Sequence, residues 1–212
     1  FLPVFIFDGI PPDAKRNTLD KRCQQKNKIE DKICQLVLTR EMNTQAGNID
    51  NDEIDFEIGK LNKQVTYVTK IHRHECKYLL KLLGIPIVES NGEAETTCAA
   101  LQKKGIVDYT FTEDTDALTF GAPQVLKSAK KLERVIKTDL SVILSKMNLT
   151  MDSFIDFCIL CGCDYCPTIP KIGPITALNL INLHSDIETI LANLDPKYVV
   201  PDDFDYKLAR SL

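Results

Sequence analysis

The sequence predicts an α/β protein whose mainly parallel central sheet carries helices on both faces. Short apolar runs that are typical of buried strands alternate with longer segments of helical spacing, and this alternation favours parallel pairing. A hydrophobic fraction of 44% with 26% charged residues is ordinary for a globular domain. At 212 residues the chain is long enough to bury a sizeable core, and its apolar runs are shorter than a membrane span requires.

The first part of the chain predicts one strand and two helices. Residues 2–7 are an apolar run that ends at Asp8. After two prolines, residues 13–42 predict a long basic helix, and the polar, acidic residues 43–60 predict a mobile connection. A second helix is predicted over residues 63–83. Its predicted core positions are Val65, Val68, Leu79, Leu82 and Leu83.

The rest of the chain predicts strands and helices in alternation. Gly84 and Gly105 stand where helices are expected to end. Strands are predicted over residues 85–88 and 107–111 and near 124–126 and 134–136. Helices are predicted over residues 94–104, from Thr138 or Asp139 to Met147, from Thr150 or Asp152 to Leu160, and over 175–181.

Charge is distributed unevenly along the chain. A net charge of −4 and a pI near 5.5 argue against nucleic-acid binding at face value. Residues 1–40 nevertheless contain eight basic and five acidic side chains, and residues 126–146 contain six basic and two acidic ones. This segregation suits a protein whose acids hold metal and whose bases hold phosphate, although solvated helix faces explain the basic runs equally well.

Acidic residues follow several of the apolar runs. They are Asp8, Glu93, Glu95, Asp114, Asp116 and Asp164, with Glu113 beside Asp114. Mg²⁺ prefers oxygen ligands, so repeated acids at the ends of strands indicate metal-assisted phosphate chemistry, whereas any single cluster can be a solvated turn. Ligands bind outside the carboxyl ends of parallel strands, where the topology gathers these residues at one rim. Two acids at positions i and i+2 diverge inside a helix but converge if they straddle a strand-to-helix turn.

The eight cysteines, without a secretory signal, indicate free thiols in an intracellular reducing compartment. Four of them crowd into nine residues, as Cys158, Cys161, Cys163 and Cys166. A zinc or iron–sulfur site is one interpretation, but structural zinc usually needs two knuckles that are a dozen or more residues apart. Small buried side chains at a helix end are the favoured alternative.

Assembled in order, these residues closely resemble the flap endonuclease branch of the structure-specific 5′ nucleases, over nearly the whole chain. The matching stretches are residues 4–12, 68–72, 75–77, 82–86, 93–95, 113–116, 118–121, 158–166 and 172–174. The resemblance implies a PIN-like nuclease core over residues 1–148, with a helical arch over about 13–64. It implies a helix–two-turn–helix DNA-binding region over residues 149–212 that is continuous with the core.

The resemblance also implies roles for individual residues. Lys15 and Arg22 fall on basic arch residues that reach the scissile phosphate. The positions of two-metal ligands are Asp8, Glu93, Glu95, Asp114, Asp116 and Asp164. The positions that grip duplex phosphates, in the family often through a monovalent cation, are Thr168, Ile169, Lys171, Ile172 and Gly173. A turn that enters a helix presents N–H groups to phosphate, although the same element also occurs in plain helix packing.

The implied activity is Mg²⁺-dependent hydrolysis of DNA at flap or nick junctions in replication and repair, with Mn²⁺ as a substitute for Mg²⁺. The implied protein is a nuclear monomer, without membrane association, that has 5′–3′ exonuclease activity and binds a sliding clamp. Three alternatives remain open: an inactive junction-binding scaffold, an exonuclease or excision-repair relative, and a cysteine-rich metal module.

The sequence departs from the family pattern at several points. Lys171 replaces a glycine of the turn, and Ile175 and Thr176 replace basic residues that would touch phosphate. The chain opens with Phe1 rather than Met, so we expect a fragment whose seventh metal ligand lies upstream. The family's clamp-binding peptide is absent from this sequence.

Overall fold

The protein was analysed as a computed structural model that describes residues 2–47, 51–65, 67–129 and 134–212. Parts of the predicted connection, of the second predicted helix and of the second basic segment, at residues 48–50, 66 and 130–133, lie outside the described residues. The chain forms two compact units. The first contains Phe1–Arg16 and Ile87–Leu212, and the second contains Asn17–Pro86. The predicted boundary between residues 148 and 149 stays a prediction.

The described strands and helices alternate as expected for an α/β protein. The strands are β1 (Phe5–Phe7), β2 (Ile87–Glu89), β3 (Thr110–Phe111), β4 (Gln124–Ala129) and β5 (Arg134–Asp139). The first five α-helices are α1 (Arg16–Gln45), α2 (Asp52–Asn62), α3 (Lys70–Leu82), α4 (Ala94–Lys103) and α5 (Asp116–Thr119). The others are α6 (Leu140–Met147), α7 (Met151–Cys161), α8 (Pro174–His184), α9 (Ile187–Ala192) and α10 (Tyr206–Arg210). A 3₁₀ turn, Asp13–Lys15, precedes α1.

The strands form two small sheets in the described part of the chain. β1 pairs in parallel with β2, and β3 pairs in parallel with β4. β5 runs antiparallel to β4, because the four residues between them are too few for the crossover that a parallel pair needs. The predicted α/β class is confirmed, with the sheet divided into two pieces and one antiparallel strand.

The first unit contains two hydrophobic clusters. One cluster lies among α4, α5, β4, α6 and α7 and is centred on Ala99, Ala117 and Val125. The other lies among α7, α8, α9 and α10 and contains Leu160 and Ile181, which are at most 1% exposed. Because α7 contributes to both clusters, it ties the residues around β4 to the C-terminal helices.

Two predictions for the second unit are wrong. The predicted connection over residues 43–60 contains the end of α1 and most of α2, whose first turn carries three acids that complement the helix dipole. The second predicted helix begins only at Lys70, and its inward residue is Leu80, whereas Leu79, Leu82 and Leu83 are exposed. Adjacent helical residues point about 100° apart, so the predicted face was one position out of register. Val68, also predicted in the core, precedes α3 and is exposed.

None of the helices in the described ranges combines the length and the apolarity that crossing a bilayer demands.

Candidate active site

Asp8 is held at the start of α4 by a close backbone approach. Gly9 donates its N–H to the carbonyl of Gly92 at 2.8 Å, and a Cβ on Gly9 would lie 2.0 Å from the carbonyl oxygen of Ser90. A side chain at position 9 would therefore force the two segments apart. The backbone N–H of Ala94 donates to Oδ1 of Asp8 at 2.8 Å, so this carboxylate takes up one of the free N–H groups of the helix start.

Glu93 and Glu95 straddle the turn that enters α4. Glu93 is the residue that precedes the helix and has extended backbone angles (φ −67°, ψ 137°), and Glu95 lies in the first turn. The hydroxyl of Ser90 donates to the carbonyl of Glu93 at 2.9 Å, which fixes the turn. The i, i+2 spacing thus produces convergence here: one carboxylate oxygen each from Asp8, Glu93 and Glu95 lies within 4.8 Å of the others.

These three carboxylates fit a divalent cation. Hard cations such as Mg²⁺ are bound by carboxylate oxygens together with water and substrate phosphate. Three acids in such proximity repel one another unless a cation or a basic side chain lies between them. Among the described residues, the acids, histidines and cysteines that bring three or more ligand atoms this close together are these three carboxylates.

Asp114 lies in the turn between β3 and α5, Asp116 is the first residue of α5, and both connect to α4 through hydrogen bonds. The backbone N–H of Asp116 donates to Oδ1 of Asp114 at 3.0 Å, and the N–H of Asp114 donates to the hydroxyl of Thr112 at 3.1 Å. The same hydroxyl donates to Oε1 of Glu95 at 3.3 Å. A short chain of hydrogen bonds therefore joins the second acidic cluster to the first.

Glu113 belongs to the same sequence cluster but points elsewhere. Its Oε1 accepts the backbone N–H of Ser128 at 3.0 Å, and its carbonyl accepts Nζ of Lys127 at 2.8 Å, both on β4. The structure therefore separates Glu113, which is bound to the sheet, from Asp114 and Asp116.

Lys15 lies among the acids. Its Nζ is 2.7 Å from Oε2 of Glu93 and 3.3 Å from Oδ2 of Asp164, and its side chain is only 14% exposed. Burial lowers the pKa of Lys15, but hydrogen bonds and charges from Glu93 and then Asp164 outweigh it, so the pKa is raised overall. The ammonium group therefore stays protonated near neutral pH. Its Nζ also lies 6.0 Å from the ring centre of Tyr165.

Asp116 is in the opposite electrostatic situation. Although the residue as a whole is solvent-exposed, neighbouring side chains exclude part of the water around its carboxylate. This desolvation raises the pKa of Asp116. The negative charges of Asp114 and Asp164 raise the pKa further, and the charge of Lys15 lowers it in part. Asp116 therefore lies in the combined negative field of Asp114, Asp164 and Glu95.

The predicted DNA-binding turn has mixed surroundings. Ile169 and Ile172 are 1% and 6% exposed and pack in the core of the C-terminal helices, so their side chains are not available to DNA. Lys171 is exposed and has a φ of +70°, which is a left-handed conformation that favours glycine. Gly173 immediately precedes α8, and Thr168 is exposed. Only the backbone of the two isoleucines can serve the predicted role.

Arg22 lies in the second unit, where it is exposed on α1. The role expected for it beside Lys15 stays a prediction.

The four clustered cysteines do not converge as a metal site. All eight cysteines are free thiols, and within the described part of the chain no three of them bring their sulfurs together. Cys163 and Cys166 form a pair whose Sγ atoms are 3.6 Å apart. The hydrogen bond from Cys166 lowers the pKa of Cys163 and raises that of Cys166. The zinc or iron–sulfur interpretation has no support in this geometry.

Sequence analysis missed a buried ion pair at the C-terminal end. Asp156 on α7 is 2% exposed and accepts two hydrogen bonds of 2.8 Å from Arg210 and one of 3.0 Å from the N–H of Ile187. Arg210 also donates twice to Glu188 at 2.9 Å. A single acid inside the apolar run of α7 was a local signal, but its partner is 54 residues away.

Comparisons with known proteins show which families this chain is similar to. The XPG I-region family matches residues 84–164. This range includes β2, α4 and every predicted metal ligand except Asp8. Flap endonuclease 1-A from Sorghum bicolor is 44% identical over 99% of this chain. Flap endonuclease 1 from Danio rerio is 45% identical over the same share. The chain spans about half the length of these curated relatives, 53% in each case.

Solved structures show the same fold. Flap endonuclease-1 from Methanococcus jannaschii is 27% identical, has a TM-score of 0.58 and matches 99% of this chain and 73% of its own. The catalytic core of Rad2 in complex with DNA substrate has a TM-score of 0.69 over 99% of this chain and 64% of its own, at 21% identity. Over nearly its whole length the chain is therefore similar in sequence to the flap endonucleases, and its fold is similar to that of the solved flap endonuclease-1 from Methanococcus jannaschii.

Proposed function

We propose that this chain carries the catalytic site of a structure-specific DNA nuclease. Its reaction is hydrolysis of a phosphodiester bond where a single-stranded 5′ flap leaves a duplex, with 5′–3′ exonuclease activity at nicks. The observation that carries the proposal is the convergence of Asp8, Glu93 and Glu95 within 4.8 Å, next to the partly buried Lys15.

The six acids are proposed to hold two divalent cations, Mg²⁺ or Mn²⁺. When bound, such ions supply an activated water and neutralise charge on the attacking and leaving oxygens. Asp8, Glu93 and Glu95 form one part of the ligand set, and Asp114, Asp116 and Asp164 form the other. The hydrogen bond between Thr112 and Glu95 keeps the two parts in register.

Lys15 is proposed to act on the substrate from the same place. It is protonated, largely shielded from water and held by Glu93 and Asp164. A fixed positive charge in a shielded site stabilises negative charge that builds up on phosphoryl oxygens, more strongly than in bulk water. Arg22 is proposed as a second cation of this kind, on the basis of the family resemblance alone.

Binding of the DNA duplex is proposed for the turn that enters α8. The backbone of residues 168–173 and the exposed Lys171 would contact phosphates, with a monovalent cation at the turn. Such contacts read the shape of the DNA rather than its bases, which suits recognition of a junction. The proposed protein is a monomer that acts in the nucleus.

The test of activity is incision of labelled DNA by the purified protein that contains this chain. We expect cleavage of a 5′-flap duplex in Mg²⁺, weaker cleavage of nicked DNA, and no cleavage in EDTA. Preference for a bubble would instead indicate an excision-repair relative. Binding without cleavage in Mg²⁺ would indicate a scaffold and would overturn the proposal.

The test of the site is a pair of neighbouring substitutions. Asp114→Asn is expected to reduce the cleavage rate by more than ~100-fold. Loss of a residue that only hydrogen-bonds to a metal ligand can already cost ~100-fold, and Asp114 is proposed to bind the metal itself. DNA affinity should be retained, because the fold and the basic residues are unchanged. Glu113→Gln is the matched control: its carboxylate bonds to β4, so cleavage should persist. An Asp114→Asn chain that cuts at the wild-type rate contradicts the assignment.

A further inference from the structure

Cys163 and Cys166 form a close pair of thiols in the turn that follows α7. Their Sγ atoms are 3.6 Å apart, and both residues are half-buried. Bonded sulfurs lie about 2.05 Å apart, so an approach of roughly 1.5 Å would close a disulfide. The pair lies beyond the end of α7, so closing it does not require a helix to unwind.

We propose that Cys163 and Cys166 are an oxidation site at which a peroxide forms a reversible intramolecular disulfide that displaces Asp164. The pair encloses Asp164 and Tyr165 in the sequence, so a backbone adjustment that brings the two sulfurs together acts on Asp164. The consequence for cleavage rests on the proposed function, whereas the formation of the disulfide does not.

A small oxidant can reach the pair. A cavity of about 200 Å³ is lined by Cys163 and Cys158, together with Asp116 and Tyr165. Hydrogen peroxide is small enough to enter such a cavity and, being uncharged, is not repelled by the carboxylate of Asp116. Of the pair, Cys163 lines the cavity, so its sulfur is the first to react with the peroxide.

The chemistry is balanced by one peroxide. The sulfur of Cys163 displaces water from the O–O bond and becomes a sulfenic acid. The sulfur of Cys166 then attacks that sulfur and releases a second water, so two thiols and one peroxide give one disulfide and two waters. A dithiol such as dithiothreitol returns both thiols by exchange and leaves as its own cyclic disulfide.

The neighbouring cysteines are poorer candidates for this oxidation. Burial raises the pKa of Cys161 to about 11 and also raises the pKa of Cys158. The thiolate is the reactive form, so both remain thiols for longer under oxidation. Within the cluster, the short distance between two sulfurs and the access from the cavity are therefore found together at Cys163 and Cys166.

Oxidation would disturb the active site through Asp164. Its carboxylate is 3.3 Å from Nζ of Lys15, which in turn contacts Glu93. A displaced Asp164 weakens the acid set and leaves Lys15 held from one side. We expect the oxidised chain to lose Mg²⁺-induced stabilisation and to cleave flap DNA about tenfold more slowly or worse.

The site is tested by mapping thiols in the whole chain. The protein is treated with graded hydrogen peroxide, blocked with N-ethylmaleimide and analysed by mass spectrometry of the intact chain and of its peptides. We expect the loss of two hydrogens and a single peptide link between Cys163 and Cys166, reversed by dithiothreitol. Cys161→Ser should form the same link, and Cys166→Ser should not. Earlier oxidation of another cysteine, or no link, overturns the proposal.

The consequence is tested by two further readouts. The thermal unfolding midpoint in Mg²⁺ and the incision of 5′-flap DNA are measured on the reduced, oxidised and re-reduced chain, with Cys166→Ser as the insensitive control. If the chain with the disulfide is stabilised by Mg²⁺ as much as the reduced chain is, the proposed displacement of Asp164 is overturned. If the reduced chain never cleaves DNA, the proposed function fails, while the mapped link and the Mg²⁺ response still decide this inference.

Discussion

Two groups of charged residues in the first unit differ in how their charges are balanced. At the C-terminal helices, the guanidinium of Arg210 makes two hydrogen bonds to Asp156 and two to Glu188. At the candidate active site, Lys15 forms salt bridges to Glu93 and Asp164, and its charge also acts on Asp116. The two acids of the first group are both bound by one planar guanidinium, whereas the acids of the second group outnumber the single lysine that they share.

The difference shows how to tell a structural acid from a functional one. Asp156 is buried, and its charge is matched by hydrogen bonds from the protein itself, so it needs nothing from outside. Asp116 remains exposed, and its pKa is raised by desolvation of the carboxylate and then by the charges of Asp114 and Asp164. An acidic cluster that the protein neutralises only in part can take up a cation from solution.

The largest expected effect is on the completed group. Arg210→Ala leaves the carboxylate of Asp156 buried without its main partner, which typically costs 3–5 kcal/mol of unfolding free energy. Because the side chain of Arg210 is 33% exposed, we expect a loss of about 3 kcal/mol, measured by urea unfolding. DNA cleavage at a temperature where the variant is folded should be retained.

A salt bridge in the same region provides the control. Lys197 and Asp195 are paired at 3.1 Å, but both side chains are more than half exposed. Lys197→Ala should leave the unfolding midpoint unchanged within error, since exposed pairs contribute little. If both variants lose the same stability, the burial of Asp156 is not what makes the first group structural.

The next effect is a dependence of stability on pH. Hydrogen bonds from Arg210 lower the pKa of Glu188 from 4.5 to about 2. A lowered pKa contributes stability that is fully present above 4.5 and is lost as the pH falls toward 2. Glu188→Gln should therefore lose less stability than the wild type over this range, in urea unfolding at several pH values.

The control is an exposed acid of the same region for which no hydrogen bond from Arg210 is found among the described residues. Asp202→Asn, at an exposed position of the same region, should reproduce the wild-type pH profile. A Glu188→Gln profile that coincides with that of the wild type would show that Arg210 does not stabilise the ionised Glu188.

The smallest effect concerns the backbone of the C-terminal region. Lys171 adopts a φ of +70°, a conformation that costs a residue with a Cβ about 1–2 kcal/mol. Glycine relieves this strain but loses more entropy on folding, by roughly 0.5–1 kcal/mol. Lys171→Gly should raise the unfolding free energy by up to about 1 kcal/mol, while weaker DNA binding would reflect the lost charge. A destabilised variant would contradict this account of the turn.

Much of the site could be predicted because its signals are local. Glu93 and Glu95 sit where a strand-to-helix turn was expected, and the glycine and serine of that turn precede them in the sequence. The helix caps at Asp139 and Thr150 were also found among the two alternatives given for each. Capping depends on a few neighbouring residues, so the sequence carries it directly.

Other features could not be predicted, because they depend on contacts between residues that are distant in the sequence or because their composition is equally typical of a loop. The partner of Asp156 comes from α10, and no spacing rule connects them. α2 was mistaken for a connection because its acids and asparagines are typical of loops, although acids in a first turn also stabilise a helix. The closeness of Cys163 and Cys166 depends on the path of the turn after Gly162, whose φ is +118°.

The central claim, that the acids of the rim hold divalent cations, is tested most directly by thermal unfolding with and without Mg²⁺. A ligand that binds the folded chain stabilises it in proportion to RT ln(1 + [L]/Kd), and about 1 kcal/mol shifts the midpoint of a chain of this size by roughly 2–4 °C. We predict that Mg²⁺ raises the midpoint of the wild type and of Glu113→Gln, and raises that of Asp114→Asn much less. An unchanged midpoint in the wild type, or an equal rise in all three proteins, would contradict the claim.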